Sequence, residues 1–216
     1  MPTLSLSFGS APEREAPGPR SEAAVLVVDV QNGFAHPDDV PWLTEAEHAD
    51  NEAAIDRVNV LVEAARRCGV PVVWVRLVQH AQSPWRASDW FREYPPGEHG
   101  MCMAGTSSID WYRVSPRADE LVVDKHRYNG FLETALDAML RNMGVSWFIA
   151  CGLSTECCVE STVRGGFELG YRAVVAADAC AAPGDLHEAA LRSMATNFAL
   201  IADVDAIVSC LESSVS

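Results

Sequence analysis

Short apolar runs alternate along the chain with segments in which apolar residues recur at helical spacing. The run AAVLVVDV (23–30) is continuously apolar, which is typical of a strand covered on both faces. Between Asn51 and Cys68 the apolar residues recur at helical spacing, and Gly69 then ends the predicted helix. The pattern predicts further strands over 70–78, 120–125, 146–152, 172–179 and 199–204, and further helices over 131–143, 155–169, 187–198 and the C-terminal residues.

This alternation of strands and helices predicts an α/β fold. Right-handed crossovers between successive strands give a mostly parallel sheet of six strands with helices on both faces, in a Rossmann-like arrangement of three layers. We expect one domain over residues 23–216. Residues 1–22 are rich in Pro, Ser, Gly and charged side chains. We therefore expect them to form a flexible arm or a strap onto a partner subunit.

One long connection, residues 79–118, interrupts this regular alternation. Connections of that length in a compact domain are usually functional or disordered, and its many aromatic residues argue against disorder. The segment could form a pocket wall or a subunit contact, and the sequence leaves both open. Its aromatic residues are Trp85, Trp90, Phe91, Tyr94, Trp111 and Tyr112.

The charge balance narrows the classes of partner. The chain has 16 basic and 30 acidic residues, a net charge of −14, and such a surface repels nucleic acids and anionic lipids. Membrane spans need about 20 apolar residues, and no stretch reaches that length. The N-terminus has no basic region followed by an apolar one, so we expect no secretory signal and a cytoplasmic protein.

The seven cysteines predict reduced thiols, because a protein without a secretory signal rarely carries a disulfide framework. Adjacent Cys157 and Cys158 do not have the spacing of a zinc site. Cys68, Cys151 and Cys210 fall inside apolar periodic segments, where a buried inert thiol is the usual interpretation.

Three polar residues stand where buried apolar runs end. Asp29 closes AAVLVVD, Lys125 closes ELVVDK, and Cys158 follows SWFIACG by one short turn. Parallel strands would bring all three side chains to the carboxyl edge of the sheet, where open α/β sheets bind ligands. A carboxylate, an amine and a thiol at one edge suggest a cysteine nucleophile with its own base and cation.

The predicted start of a helix beside Cys158 supports this interpretation. Free backbone N–H groups in the first turn favour a thiolate and can stabilise an oxyanion on a substrate carbonyl. Lys125 would lower the pKa of the thiol further, and Asp29 could accept its proton. Each residue also has a structural interpretation: a buried thiol, a turn residue and a solvated charge.

Three motifs in order resemble those of the isochorismatase-like cysteine hydrolases. D-x-Q-x-x-F covers 29–34, K-x-R-Y-x-x-F covers 125–131, and G-x-x-T-x-x-C-V-x-x-T covers 152–162. The resemblance runs from about Ala23 to Val208. This family includes nicotinamidases, N-carbamoylsarcosine amidohydrolases, biuret hydrolases and ureidoacrylate amidohydrolases.

The resemblance implies a catalytic triad of Asp29, Lys125 and Cys158. It also implies a non-proline cis peptide bond between Leu153 and Ser154, and an oxyanion hole made by the backbone N–H groups of Ser154 and Cys158. By the same pattern the residue before the valine of the third motif is the nucleophile. That choice selects Cys158 and leaves Cys157 as a packing residue, since adjacent helical side chains point about 100° apart.

Departures from some subfamilies narrow the expected substrate. The histidines of the region around the second strand (His36, His48, His80 and His99) lack the Asp-x-His spacing of zinc-using nicotinamidases, so we expect no metal and no cofactor. Isochorismatases that cleave a vinyl ether do not need the cysteine, so its presence favours amide hydrolysis through a thioester. The motifs most resemble the ureidoacrylate and biuret branch. That likeness implies a small ureide or primary amide as substrate, with release of ammonia, and a homodimer or homotetramer.

The nearest motif residues available to bind substrate are Gln31, Phe34, Tyr128 and Asn129, although simple packing is an equal alternative for them. Other functions stay open at this point. They are hydrolysis of a larger amide or lactam such as an antibiotic, vinyl ether cleavage, and a non-catalytic binding protein of the same fold.

Overall fold

A parallel sheet forms the centre of the protein in the computed structural model, which describes residues 2–9, 11–80 and 101–213. The strands of the described residues are β1 (Thr3–Ser5), β2 (Glu13–Glu15), β3 (Ala23–Val28), β4 (Val72–Leu77), β5 (Leu121–Lys125), β6 (Trp147–Leu153), β7 (Arg172–Ala181) and β8 (Ala199–Ala202). The helices are α1 (Asn32–Ala35), α2 (Glu45–Arg67), α3 (Leu136–Asn142), α4 (Glu160–Glu168), α5 (Leu186–Asn197) and α6 (Val204–Ser213). None of these helices combines the length and the apolar character that crossing a bilayer requires.

The large sheet has the order β5-β4-β3-β6-β7-β8, with every neighbouring pair parallel. The predicted six-stranded α/β fold is therefore confirmed. The chain first builds outward from β3 to β5, then returns to place β6 beside β3 and builds outward on the other side. The strand order thus reverses between β3 and β6, and such switch points leave a crevice at the carboxyl ends of the strands.

The central strands are buried along their whole length. Every residue of β3 and of β6 is buried, which explains their unbroken apolar sequences. Helix α2 covers the sheet and begins at Glu45, six residues before the predicted start. A capping box explains the difference, because Thr44 accepts a hydrogen bond from the Glu47 N–H while Glu47 accepts from the Thr44 N–H.

The predicted helix over 131–143 is shorter in the structure, where α3 covers only Leu136–Asn142. Glu133 adopts a left-handed backbone conformation with φ 57°, which a right-handed helix does not allow. The Thr134 hydroxyl donates to the Gly130 carbonyl and accepts from the Leu136 N–H. Side-chain bonds of this kind offer the backbone a turn in place of the first helical turn.

The described part of the N-terminal segment packs against its own chain, and its role as a strap onto a partner subunit stays a prediction. Strands β1 and β2 pair as an antiparallel hairpin, and Leu4 and Ala16 are buried in the core. The Ser7 N–H donates to the Ile201 carbonyl at 2.8 Å. Burial of two apolar side chains, which composition alone does not indicate, favours this packing.

The long aromatic connection is described only in part, since residues 81–100 lie outside the described residues. The predictions for Trp85, Trp90, Phe91 and Tyr94 therefore stay predictions. Trp111 packs edge to face on Trp74 with ring centroids 5.2 Å apart, and the Tyr112 hydroxyl bonds to Glu52. These two aromatic side chains contact the core of their own chain.

Candidate active site

Asp29 and Lys125 form a buried ion pair at the carboxyl edge of the sheet. Asp29 directly follows β3 and Lys125 ends β5, with β4 between them. The Lys125 Nζ lies 2.7 Å from the Asp29 Oδ2, and neither side chain is exposed at all. Asp29 has a left-handed φ of 52°, which is uncommon for a residue other than glycine and is often found at functional sites.

The Lys125 ammonium also holds Cys158 in place. Its Nζ lies 3.3 Å from the Cys158 Sγ and 3.1 Å from the Arg127 carbonyl oxygen. The ammonium group thus has three partners: an ion pair with Asp29 and hydrogen bonds to Cys158 and to the Arg127 carbonyl. Three residues that are far apart in the sequence are thus brought together, as the strand-end pattern predicts.

A close approach of two strands positions the turn that carries Cys158. Gly152 in β6 has φ 121°, and a Cβ atom there would lie 2.0 Å from the Val28 carbonyl oxygen of β3. Only glycine fits this position. The Leu153–Ser154 peptide bond is cis, as the resemblance implied.

The turn after this bond, Thr155–Val159, is π-helical rather than α-helical. The Ser154 carbonyl accepts from the Val159 N–H at 3.1 Å, five residues on. A π-helical turn contains more residues than an α-helical one, so adjacent side chains diverge by less than 100°. Cys157 consequently lines the cavity beside the site, where the sequence predicted only packing. Cys158 is just 1% exposed and lies against Lys125.

The electrostatics of the site favour a protonated Cys158 thiol in the resting protein. A hydrogen bond to Cys157, burial and the Asp29 charge raise the pKa of Cys158 well above its ordinary value, and Lys125 only partly opposes them. The expected lowering of this pKa is therefore wrong, because the sequence does not reveal how completely the site is buried. The same hydrogen bond lowers the pKa of Cys157.

The two charged residues also have shifted pKa values. Burial raises the pKa of Asp29, although the Lys125 charge and hydrogen bonds from Cys158 and Lys125 work in the other direction. Burial alone would lower the pKa of Lys125, but the Asp29 charge and the hydrogen bonds to Asp29 and Cys158 outweigh it and raise that pKa. Asp29 is thus a stronger base than an exposed aspartate, and Lys125 stays an ammonium ion throughout the neutral range.

A cavity of about 130 Å³ lies next to the turn that carries Cys158: Ser154 and Cys157 line it, whereas Asp29, Lys125 and Cys158 are not among its lining residues. Loops that follow the strands, together with the start of α2, build its wall. Its lining includes Phe34, Trp42, Asn51, Gln79, Met101, Tyr128, Ser154, Glu156, Cys157 and Pro183. Val40, Leu43, Leu77, Leu153 and Ala181 also line it, so apolar residues form most of the wall. That is the usual composition of a site for a small molecule.

The predicted substrate-binding residues divide into two groups. Phe34 and Tyr128 line the cavity. Gln31 does not: it is fully buried, its amide nitrogen donates to the Leu77 and Ile109 carbonyls, and its oxygen accepts from the Leu77 N–H. Because the backbone groups of Leu77 and Ile109 take the hydrogen bonds of its side chain, the substrate-binding prediction for Gln31 is corrected to a structural role.

Asn129 is the second correction. Its side-chain oxygen accepts from the Phe131 N–H at 2.8 Å, and the same side chain fills the space above Gly165 of α4. It packs the loop after β5 against α4 and is absent from the described cavity lining. At this position of the second motif, Asn129 packs a loop and does not line the described cavity.

Sequence reasoning missed Gln79, a buried residue of the cavity wall. It follows the apolar run of β4 in the same way that Asp29 and Lys125 follow theirs. The rule that selected the triad would have selected Gln79 as well.

The described residues contain no group of three or more His, Cys, Asp or Glu side chains arranged to hold a metal ion, and metal independence remains a prediction.

Comparison with known proteins gives the family. The Isochorismatase domain model matches residues 23–206. A ureidoacrylate amidohydrolase RutB from Methylobacterium radiotolerans is 35% identical over 204 residues, which cover 87% of this chain and 78% of the relative. The RutB of Serratia proteamaculans is 30% identical over 228 residues, covering 99% of this chain and 92% of the relative.

Solved structures with the same fold agree. A cysteine hydrolase from Pseudomonas syringae pv. phaseolicola has a TM-score of 0.79 at 24% identity, covering 93% of this chain and 97% of the other. N-carbamoylsarcosine amidase from Thermoplasma acidophilum has a TM-score of 0.69 at 27% identity, covering 85% and 97% of the two chains. From its motifs, its fold and its sequence match, the chain belongs to the isochorismatase family.

Proposed function

We propose that the protein is a cysteine-dependent amidohydrolase that cleaves a C–N bond of a small ureide or primary amide and releases ammonia. The observation that carries this proposal is the contact of the Lys125 ammonium with both the Asp29 carboxylate and the Cys158 sulfur. Relatives that are amidohydrolases by name support the reaction class.

In the first half-reaction the Cys158 sulfur attacks the substrate carbonyl while its proton passes to Asp29. The raised pKa of Asp29 makes that carboxylate a better proton acceptor, and Lys125 stabilises the negative charge that develops on sulfur. The backbone N–H groups of Ser154 and Cys158 are the proposed donors to the oxyanion. Collapse of this intermediate breaks the C–N bond, and Asp29 returns the proton to the departing ammonia.

In the second half-reaction water hydrolyses the thioester, or the S-carbamoyl group if the substrate is a ureide. Asp29 takes a proton from the attacking water, and that proton then returns to the sulfur as the thiol leaves. The product is a carboxylic acid from an amide or a carbamate from a ureide. No redox step or external proton carrier is needed.

The size of the cavity favours a small substrate over an antibiotic-sized amide. The described residues enclose about 130 Å³, whereas sites for drug-sized ligands usually measure roughly 300–1,000 Å³. Some members of the family cleave a vinyl ether. That reaction would leave the buried Cys158 thiol and its base Asp29 without a role, so amide hydrolysis is the better proposal.

The test is release of ammonia from a panel of ureidoacrylate, 3-ureidopropionate, N-carbamoylsarcosine, biuret and simple primary amides. Cys158→Ala serves as the matched inactive protein. Ammonia from the unchanged protein but not from the variant supports the proposal. Pyruvate from isochorismate without ammonia from any amide would favour vinyl ether cleavage, and no product from either class would favour a binding protein.

A further inference from the structure

Gln79 occupies a fixed position at the end of β4. Its backbone N–H donates to the Cys102 carbonyl and its own carbonyl accepts from the Ala104 N–H, both at 2.8 Å. These two bonds tie the end of β4 to the segment 102–104. The side chain is only 3% exposed. Its orientation is therefore set by the protein and not by solvent.

One end of the Gln79 amide is anchored and the other is free. The Nε2 donates to the Met101 carbonyl at 2.9 Å. A carbonyl can only accept hydrogen bonds, so this contact requires the NH₂ group at that position and places the amide oxygen on the other side. The Oε1 is buried and has no hydrogen-bond partner among the residues that the structure describes. Buried polar atoms without a partner are rare, and such an oxygen beside a binding site can accept a hydrogen bond from a bound ligand.

Gln79 is part of the wall of the cavity that Cys157 and Ser154 also line, and its Oε1 is buried within that wall. Asp29, in contrast, is fully buried and contacts Cys158. A departing ammonia must face Asp29 to receive its proton. The part of the substrate that stays on the sulfur extends into the cavity, where Gln79 lies.

We propose that Gln79 determines specificity, by accepting a hydrogen bond at its Oε1 from the retained N–H group of a ureide. This assignment rests on the proposed function and deepens it. A ureide has an N–H on the retained side of its carbonyl, whereas a primary amide has a CH₂ group there. A site with a buried acceptor discriminates against a substrate that cannot donate, because the acceptor then stays unpaired.

The experiment measures kcat/KM for two matched pairs, propylurea with pentanamide and 3-ureidopropionate with glutaramate. In each pair a single N–H is replaced by CH₂. The ratio of ureide to amide is compared among the unchanged protein, Gln79→Met and Gln79→Leu. Because the folded fraction of a variant cancels in this ratio, partial misfolding does not imitate the effect. Leu43→Ala is the control, since Leu43 lines the same cavity with an apolar side chain.

We expect the ureide-to-amide ratio to fall at least about tenfold in both Gln79 variants and to stay unchanged in Leu43→Ala. In the unchanged protein, 1-methyl-1-propylurea, which lacks the retained N–H, should be hydrolysed at least about tenfold less efficiently than propylurea. Equal losses for both members of a pair would overturn the assignment of Gln79 while leaving the proposed function intact. If no member of either pair and no compound of the wider panel releases ammonia, both the proposed function and the assignment fail.

Discussion

The Lys125 ammonium and the Asp29 carboxylate lie 2.7 Å apart with no exposed surface on either side chain. Two charges withdrawn so completely from water are costly, and pairing offsets that cost only while both partners are present. The pair therefore links the stability of the fold to the chemistry proposed for Cys158.

The first prediction is that breaking this pair destabilises the protein strongly. Lys125→Met leaves the Asp29 charge buried without a partner, and we expect the free energy of unfolding to fall by about 3–5 kcal/mol. The double variant Asp29→Asn with Lys125→Met should be more stable than Lys125→Met alone. Urea denaturation provides the measurement.

Arg76→Met is the matched control for this prediction. Arg76 and Asp124 form an ion pair at 2.6 Å whose side chains are 26% and 45% exposed, so its loss should cost at most about 1 kcal/mol. If Lys125→Met and Arg76→Met lowered the free energy of unfolding by the same amount, burial of the Asp29–Lys125 pair would have no energetic consequence.

The second prediction concerns catalysis by the same pair. Asp29→Asn removes the proton acceptor and Lys125→Met removes the cation. General acid–base groups contribute about 10²–10⁴-fold, so each change should lower kcat at least about 10²-fold. Because both residues act on one sulfur and one proton, the double variant should lose far less than the product of the two effects. A double-mutant cycle on kcat checks this, and fully multiplicative losses would assign the residues to independent structural roles.

The third prediction is a loss of stability at alkaline pH. The folded protein raises the pKa of the Cys158 thiol above the ordinary value of 9.0, chiefly through its hydrogen bond to Cys157 and through burial. Above about pH 9 the unfolded chain loses this proton while the folded chain keeps it, so stability falls as the pH rises.

One such proton contributes up to about 1.4 kcal/mol per pH unit. Urea denaturation of the unchanged protein and of Cys158→Ala between about pH 9 and 10.5 measures the difference in slope. Below that range the lowered pKa of Cys157, which depends on the same hydrogen bond, has the opposite effect on stability. The buried thiols of Cys102, Cys151 and Cys180 add to the slope in both proteins, because burial raises their pKa values too. Identical slopes in the two proteins would show that Cys158 titrates normally in the folded state.

The fourth prediction is that catalysis needs no metal. The region around the second strand lacks the Asp-x-His spacing of zinc-using relatives, and the proposed steps use only Asp29, Lys125 and Cys158. Exhaustive treatment with EDTA should leave kcat unchanged, with metal content measured before and after. A stoichiometric metal whose removal abolishes activity and whose return restores it would contradict the prediction.

The sequence predicts the sheet and the triad because both depend on simple local rules. Strands buried on two faces have unbroken apolar runs, and polar residues that end such runs meet at one edge of a parallel sheet. Asp29 and Lys125 follow this rule, and so does Gln79, which lies outside the three motifs.

Details that depend on tertiary packing could not be predicted in the same way. Gln31 and Asn129 belong to recognisable motifs, but only the structure shows what their side chains contact. Gln31 forms hydrogen bonds with backbone groups, and Asn129 accepts one from the Phe131 N–H and packs against Gly165. The hydrogen bond to Cys157 and the burial that raise the pKa of the Cys158 thiol likewise arise from the surrounding fold, as does the π-helical turn that brings Cys157 to the cavity.

Simple alkylation does not identify the nucleophile in this site. Cys157 is more exposed than Cys158, and its pKa is lowered by their shared hydrogen bond, so iodoacetamide should react with Cys157 whichever thiol attacks the substrate. A test must follow the group that the substrate itself transfers to sulfur.

The most direct measurement is mass spectrometry of the acid-quenched protein during turnover of an active ureide or amide, combined with kcat, for the unchanged protein, Cys157→Ala and Cys158→Ala. We predict a substrate-derived adduct on Cys158 in the unchanged protein and in Cys157→Ala, which should keep most of its activity. Cys158→Ala should carry no adduct and lose at least about 10³-fold in kcat. An adduct on Cys157 in the Cys158→Ala variant, with activity retained, would contradict the assignment of Cys158 as the nucleophile.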